Sequence, residues 1–293
     1  MFCFSSASLN FVGIGHWGGL PIFPTTRHMI LTRPMNWAES LRPGLFFLSL
    51  GDLLFRGIRD VDDTRFKSSW ESVFSHPALM DVSWYLVAGN HDHRGNISAQ
   101  IAYSNRLIYP DLHYELNFKV TSITVLMIDT VVLCGNTYDG LEPVGPGDYV
   151  AFKQRMKWIK KKLQNTNVHF QVVRHSLTHK SLVSKLRPLL KKYSISLYLC
   201  GRDHIYRSFI REDDGSSYVN KNTFLPSWHL FSNAVNQTTG AIVYIEVNTS
   251  EMLISYIQED GKCVYQTSIP KWNFTHLQLG APLSYFPNCS KSL

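Results

Sequence analysis

The sequence predicts an α/β fold in one large domain. Short, continuously apolar runs recur along the chain, as expected of strands buried on both faces. Stretches of helical periodicity lie between them. The chain has 293 residues, 44% of them hydrophobic, which is enough to bury a sizeable core without metals or disulfides. No internal repeat or low-complexity tract interrupts the pattern.

Five apolar runs share one design. LNFVGIG (9–15) ends at His16, and LFFLSLG (45–51) ends at Asp52. WYLVAG (84–89) runs into Asn90, His91, Asp92 and His93 without a gap. VHFQVVR (168–174) ends at His175, and ISLYLCG (195–201) ends at Arg202, with Asp203 and His204 next. Helical periodicity is expected over Asp63–Phe74, Gln100–Ile108, Tyr149–Gln164 and Lys180–Lys192. In Tyr149–Gln164, Phe152, Met156, Ile159 and Leu163 share one face. AIVYIEV (241–247) and EMLISYI (251–257) alternate around a turn, as a hairpin does. Any one polar residue after a strand reads as a turn residue or cap. Five such ends together point to one crevice beyond the carboxyl ends of the strands, where open α/β sheets bind ligands.

Net charge is +7, with the cations scattered apart from KWIKKK (157–162). That run reads as a solvated helix face, and no nucleic-acid module or aromatic platform accompanies it. Mild basicity also suits an anionic substrate. No run of 18 apolar residues is present, so no membrane span is expected. The five cysteines have neither CxxC spacing nor an even count, which excludes a zinc knuckle and a dense disulfide framework. Sequons at Asn96, Asn236, Asn248, Asn273 and Asn288 lean toward the secretory route. MFCFSSAS lacks the basic and apolar regions of a signal peptide.

These motifs, in this order, resemble the tartrate-resistant (purple) acid phosphatases of the binuclear metallophosphoesterase group. The resemblance rests on GxWGG (15–19), LSLGD (48–52), RFKSSWESVF (65–74), WYLVAGNHDHRGNISAQIAYS (84–104), LCGN (133–136), LRPLL (186–190) and YLCGRDH (198–204). It implies a calcineurin-like domain over 9–270, with a C-terminal tail over 271–293. The implied fold is a two-sheet β-sandwich flanked by helices, in four α/β/β/α layers. The implied activity is hydrolysis of phosphate monoesters on a small molecule or phosphoprotein, in a secreted or lysosomal setting. The implied cofactors are a ferric ion and a second iron, zinc or manganese, which activate a hydroxide and hold the phosphate oxygens.

By the same resemblance, Asp52 matches the carboxylate that bridges the metals. Asn90 and His175 match ligands of the second metal, and His204 matches a ligand of the ferric ion. His91 matches the histidine that faces the phosphate and assists the leaving group. Three positions depart from the pattern. His16 stands where the family has Asp, Phe55 where it has the Tyr that gives the purple colour, and Arg202 where it has His. The pocket segment after His175 is also shorter, and Lys180 stands where the family has the Cys that pairs with the LCGN cysteine, here Cys134.

The electrostatic consequence is large. A +3 and a +2 ion about 3.5 Å apart repel by about 25–30 kcal/mol at an effective dielectric near 20. The family's two carboxylates and one phenolate supply three negative charges against that repulsion. Here Asp52 remains, and Arg202 adds a permanent positive charge. His16 can ligate a cation through its imidazole but brings no charge. The expectation is at most one metal at high occupancy and no purple chromophore. Two functional readings follow: a catalytically impaired, phosphate-binding pseudo-phosphatase that uses His91 and Arg202, or an active acid phosphatase with a remodelled one- or two-metal site. Arg202 also reads as a surface arginine with no ligand, and the opened pocket admits a phosphodiester reading.

Overall fold

The computed structural model describes residues 8–15, 45–54, 56–103, 105–119, 121, 123–135, 145–164, 169–174, 180–193, 195–199, 208–211, 217–220, 229–231, 241–258 and 262–270. The tail over 271–293 lies outside them. So does the segment with Pro34, where the resemblance implies a first helix that the proline would shorten or kink.

Among the described residues, fourteen strands form two seven-stranded sheets. The first contains β1 (Leu9–Ile14), β2 (Phe46–Ser49), β3 (Ser83–Leu86) and β4 (Leu107–Ile108), closed on its other side by β12 (Ala241–Val247), β13 (Glu251–Gln258) and β14 (Cys263–Pro270). Its order is β14-β13-β12-β1-β2-β3-β4. The second contains β5 (His113–Phe118), β6 (Ile123–Asp129), β7 (His169–Arg174) and β8 (Leu197–Leu199), extended by β9 (Ser208–Arg211), β10 (Ser217–Asn220) and β11 (His229–Phe231). Its order is β11-β9-β10-β8-β7-β6-β5.

The apolar runs are strands with both faces buried. In β6, Ile123, Val125 and Met127 join the core between the sheets, while Leu126 and Ile128 join a second core under the helices. In β8, Leu197 and Leu199 face inward and Tyr198 outward. This two-residue alternation divides each run between two layers. Phe46 stacks on Phe11 at 5.1 Å and on Phe118 of the opposite sheet at 4.8 Å, which fixes how the sheets meet. On the outer face of the first sheet, Phe47 stacks on Trp84 at 4.1 Å, and Trp70 meets Trp84 edge-on at 4.5 Å. A ring of this size buries about 150–250 Å², or ~4–6 kcal/mol by area.

The helices Tyr149–Gln164 and Lys180–Lys192 have the expected bounds and cover the outer face of the second sheet. Phe152, Ile159 and Leu163 from the first, and Leu182, Leu186 and Leu190 from the second, bury the expected stripes. The hairpin also forms as expected, pairing Ala241 with Gln258 through Val247 with Met252.

Two helical expectations are corrected. Asp63–Phe74 contains one widened turn, Phe66–Glu71, in which the Ser72 N–H reaches back five residues to Lys67 O at 2.9 Å. The widening lets Trp70 and Phe74 both reach Trp84. Gln100–Ile108 is not a helix. The helix runs Ile97–Ala102, capped by the Asn96 side chain on the Ala99 N–H, and Leu107–Ile108 is β4, pairing with Trp84 and Tyr85. Arg106, at φ 58°, turns the chain between them.

The loops after β2 and β3 are knotted together. The Asp92 carboxylate is fully buried and accepts N–H groups from Asp52 (2.8 Å), Leu53 (3.3 Å), Leu54 (3.2 Å) and Gly89 (2.7 Å), and the Gln100 side-chain amide (3.1 Å). Burial pushes its pKa above the ordinary carboxylate value, and the donors pull against that rise. At the far end of the loops the two backbones touch. A Cβ on Gly95 would lie 2.5 Å from both Ile58 N and Ile58 O, and the Asn96 N–H donates to Ile58 O at 2.7 Å.

Two substitutions test the knot by urea unfolding. Gly95→Ala should lose about 2–4 kcal/mol, whereas Gly147→Ala, which opens into empty space, should stay within ~0.5 kcal/mol. Asp92→Asn turns an acceptor into a donor facing donors, and should lose about 3 kcal/mol or more.

Candidate metal and phosphate site

The carboxyl ends of both parallel strand sets meet at one edge. β1, β2, β3 and β4 run parallel in the first sheet, and β6, β7 and β8 in the second. His93, in the loop after β3, places Nε2 2.6 Å from Asp129 Oδ2 at the end of β6. That pair bolts the two edges together. Burial pulls the His93 pKa down, but the Asp129 carboxylate outweighs it and holds the imidazole above its ordinary value. Asp129 Oδ1 accepts from the N–H groups of Val131 (2.9 Å) and Val132 (3.3 Å), so both carboxylate oxygens are engaged.

Asp52, Asn90 and His91 come together at this edge, at 3%, 1% and 3% exposure. Asp52 follows Gly51 (φ 86°) and has φ 55° itself, a left-handed conformation that costs a non-glycine residue about 1 kcal/mol or more. Asp92 offsets that cost by binding the Asp52 N–H. The Asp52 carboxylate in turn accepts the His91 N–H at Oδ1, 3.0 Å away. Arg94 Nη1 lies 3.2 Å from His91 Nδ1. A guanidinium only donates, so His91 Nδ1 accepts, and the imidazole proton sits on Nε2.

Asp92, Arg94, the His93–Asp129 pair and His113 escape sequence reading. Asp92 and His93 lie inside the singled-out GNHDH motif, but the partners that tie them to the loop after β2 and to β6 are 36–40 residues away. His113 stands opposite Ile128, next to Asp129 on β6, and has no hydrogen-bond partner for either ring nitrogen among the described residues. Burial lowers its pKa, which favours the neutral ring.

His16, Phe55, His175, Arg202 and His204 lie outside the described residues. In sequence, His16 stands two residues after β1, His175 directly follows β7, and Arg202 stands three residues after β8. Among the described residues, no three His, Cys, Asp or Glu converge as a metal-binding group. Of the sequons, Asn96 and Asn248 are described, while Asn236, Asn273 and Asn288 lie outside. Asn96 caps its helix. Asn248 makes a tight turn whose Oδ1 accepts from Ser250 N and Oγ at 2.8 Å each. Cys134 is a buried thiol, and Cys263 is half of a disulfide.

Comparison with known proteins places this edge in a lineage. The calcineurin-like phosphoesterase profile matches residues 27–206. Tartrate-resistant acid phosphatase type 5 of Homo sapiens is 35% identical over 302 residues, covering 91% of this chain and 92% of its own. The same enzyme of Mus musculus is 36% identical over 299 residues, covering 90% and 91%. Among solved structures, GAP50, the anchor in the inner membrane complex of Plasmodium, superposes with a TM-score of 0.70 at 20% identity, covering 92% of this chain and 90% of its own. That last likeness concerns the fold alone. The chain belongs to the calcineurin-like phosphoesterase family, within its tartrate-resistant acid phosphatase group.

Proposed function

We propose that this chain is an acid phosphatase-like protein with a degenerate metal centre, acting as a phosphate-binding pseudo-phosphatase. The observation that supports this most is the fate of the neighbouring carboxylates. Three changed positions, His16, Phe55 and Arg202, leave the family's ligand set without a carboxylate and a phenolate. Asp92 and Asp129 stand at the same edge but already bind five and three partners. Their oxygens are already engaged, so neither supplies the missing metal ligand. The residues therefore do not fit a pair of multivalent ions, and no reaction step is assigned to one.

What remains suits holding a phosphate. His91 presents an Nε2–H donor, and Arg94 brings a guanidinium against the same ring. Charge-assisted contacts of this kind are short and strong. Asp52 fixes the His91 backbone and thereby the reach of its ring. Arg202 is a further candidate for the same anion.

Two experiments test this reading. With p-nitrophenyl phosphate, the protein should turn over at least ~10²-fold more slowly than the combined His16→Asp, Phe55→Tyr, Arg202→His variant. Brisk metal-dependent turnover by the unchanged chain would instead favour an active, remodelled phosphatase. In calorimetric titration with inorganic phosphate, Arg94→Ala should weaken binding about tenfold, the loss of one charged hydrogen bond. Unchanged affinity would remove Arg94 from the site.

A further inference from the structure

The helices Tyr149–Gln164 and Lys180–Lys192 read YVAFKQRMKWIKKKLQ and KSLVSKLRPLLKK. Six Lys and Arg lie in the first and five in the second, with no Asp or Glu in either. More than a third of the chain's 29 cations thus sit on a tenth of its length. The leucine stripes and Phe152 face the sheet. Lys153, Lys157, Lys160 and Lys161 of the first helix and Lys185 and Lys192 of the second are exposed. The N-terminal end of the first helix touches the middle of the second, where the Lys185 ammonium lies 4.9 Å from the centre of the Phe152 ring and 5.6 Å from that of Tyr149. Through this contact the exposed lysines of the two helices lie on adjoining surfaces.

Among the described residues, the acids beside these helices are already engaged. Glu115 pairs with Lys162 at 2.6 Å, and Asp148 is taken up in capping the first helix through the Val150 and Ala151 N–H groups. At the same N-terminal end Tyr149 and Val150 are 53% and 67% exposed, an apolar tip beside the cations.

We propose that this two-helix face docks on an anionic lipid surface, such as a bilayer containing phosphatidylserine. Four to eight Lys or Arg on an amphipathic helix is the charge density that such surfaces attract. Nine of the eleven cations are lysines, compact point charges that respond to a diffuse field, rather than arginines, whose fork suits phosphodiester recognition. Among the described residues Trp158 and Tyr193 are half-buried against the core, which leaves Tyr149 as the exposed ring of the helix pair, too little for the successive stacked bases of a nucleic-acid strand. Tyr149 and Val150 fit the headgroup level, where an amphipathic ring and a small apolar side chain settle. Among the described residues no helix is long and apolar enough to cross a membrane, so the contact is peripheral. This proposal stands apart from the phosphate site.

Co-sedimentation of the full chain with phosphatidylcholine vesicles, with and without phosphatidylserine, tests it. Binding should require phosphatidylserine and should collapse between ~0.05 M and ~0.5 M salt. Each near-surface lysine contributes about fivefold, so Lys153→Glu, Lys157→Glu, Lys160→Glu and Lys161→Glu together should lower partitioning at least ~100-fold. The two pairwise reversals should each lose an intermediate share, and thermal melts of all three variants should match the parent. Reversing the exposed Lys67 and Lys262 elsewhere should leave binding within about twofold. Tyr149→Ser with Val150→Ser should weaken it severalfold at both salt concentrations. Equal binding to pure phosphatidylcholine, or unchanged binding in the folded pairwise variants, overturns the proposal. Duplex DNA bound at the same salt while vesicles stay unbound also overturns it, and assigns the face to nucleic acid.

Discussion

The site rests on one buried carboxylate that is held by N–H groups. Asp92 gathers four backbone donors from two loops that are about 40 residues apart in sequence, and one amide donor from Gln100 on the helix that follows. A buried anion left without partners would cost several kcal/mol, so this arrangement holds only when both loops are in place. The loops in turn hold Asp52 in a left-handed conformation and set His91 against it. The frame is therefore built by hydrogen bonds, whether or not a metal binds. That separation is why the ligand set can change while the scaffold persists.

The same edge shows how charge is distributed. Asp129 is occupied by His93 and two backbone donors, and that ion pair joins the two sheets at their carboxyl ends. Asp92 and Asp129 are thus structural anions, and Asp52 is the described carboxylate that a ligand could share. Against a repulsion of about 25–30 kcal/mol between two multivalent ions, one carboxylate is a small offset. In the proposed reading the balance is reversed for a phosphate, because the imidazole and guanidinium of His91 and Arg94 would favour an anion.

Much of the fold was legible in the sequence because it is written in periodicity. The two long helices were bounded to the residue, since Phe152–Ile159–Leu163 and Leu182–Leu186–Leu190 repeat at helical spacing, and the second persists even with Pro188 inside it. The buried strands showed as unbroken apolar runs because each face meets a different core. The failures lie where local pattern yields to distant contacts. Trp84 packs against Trp70 in the widened turn and Phe74 just beyond it, and pairing with β3 converts Leu107–Ile108 from expected helix to strand. Asn96 carries an N-cap signal that could have placed the start of its helix. In the site, the polar residues at the strand ends were visible, but the division of labour among acids was not. Nothing local distinguishes Asp92, which binds loops, from Asp52, which faces His91.

The proposed charge complement should not hold two metal ions. Anomalous diffraction from crystals grown with iron and zinc separates the alternatives. At most one metal peak is expected beside Asp52 and Asn90, with the His91 N–H still bound to the Asp52 carboxylate. Two fully occupied peaks about 3.5 Å apart, bridged by Asp52, would rule out a degenerate centre.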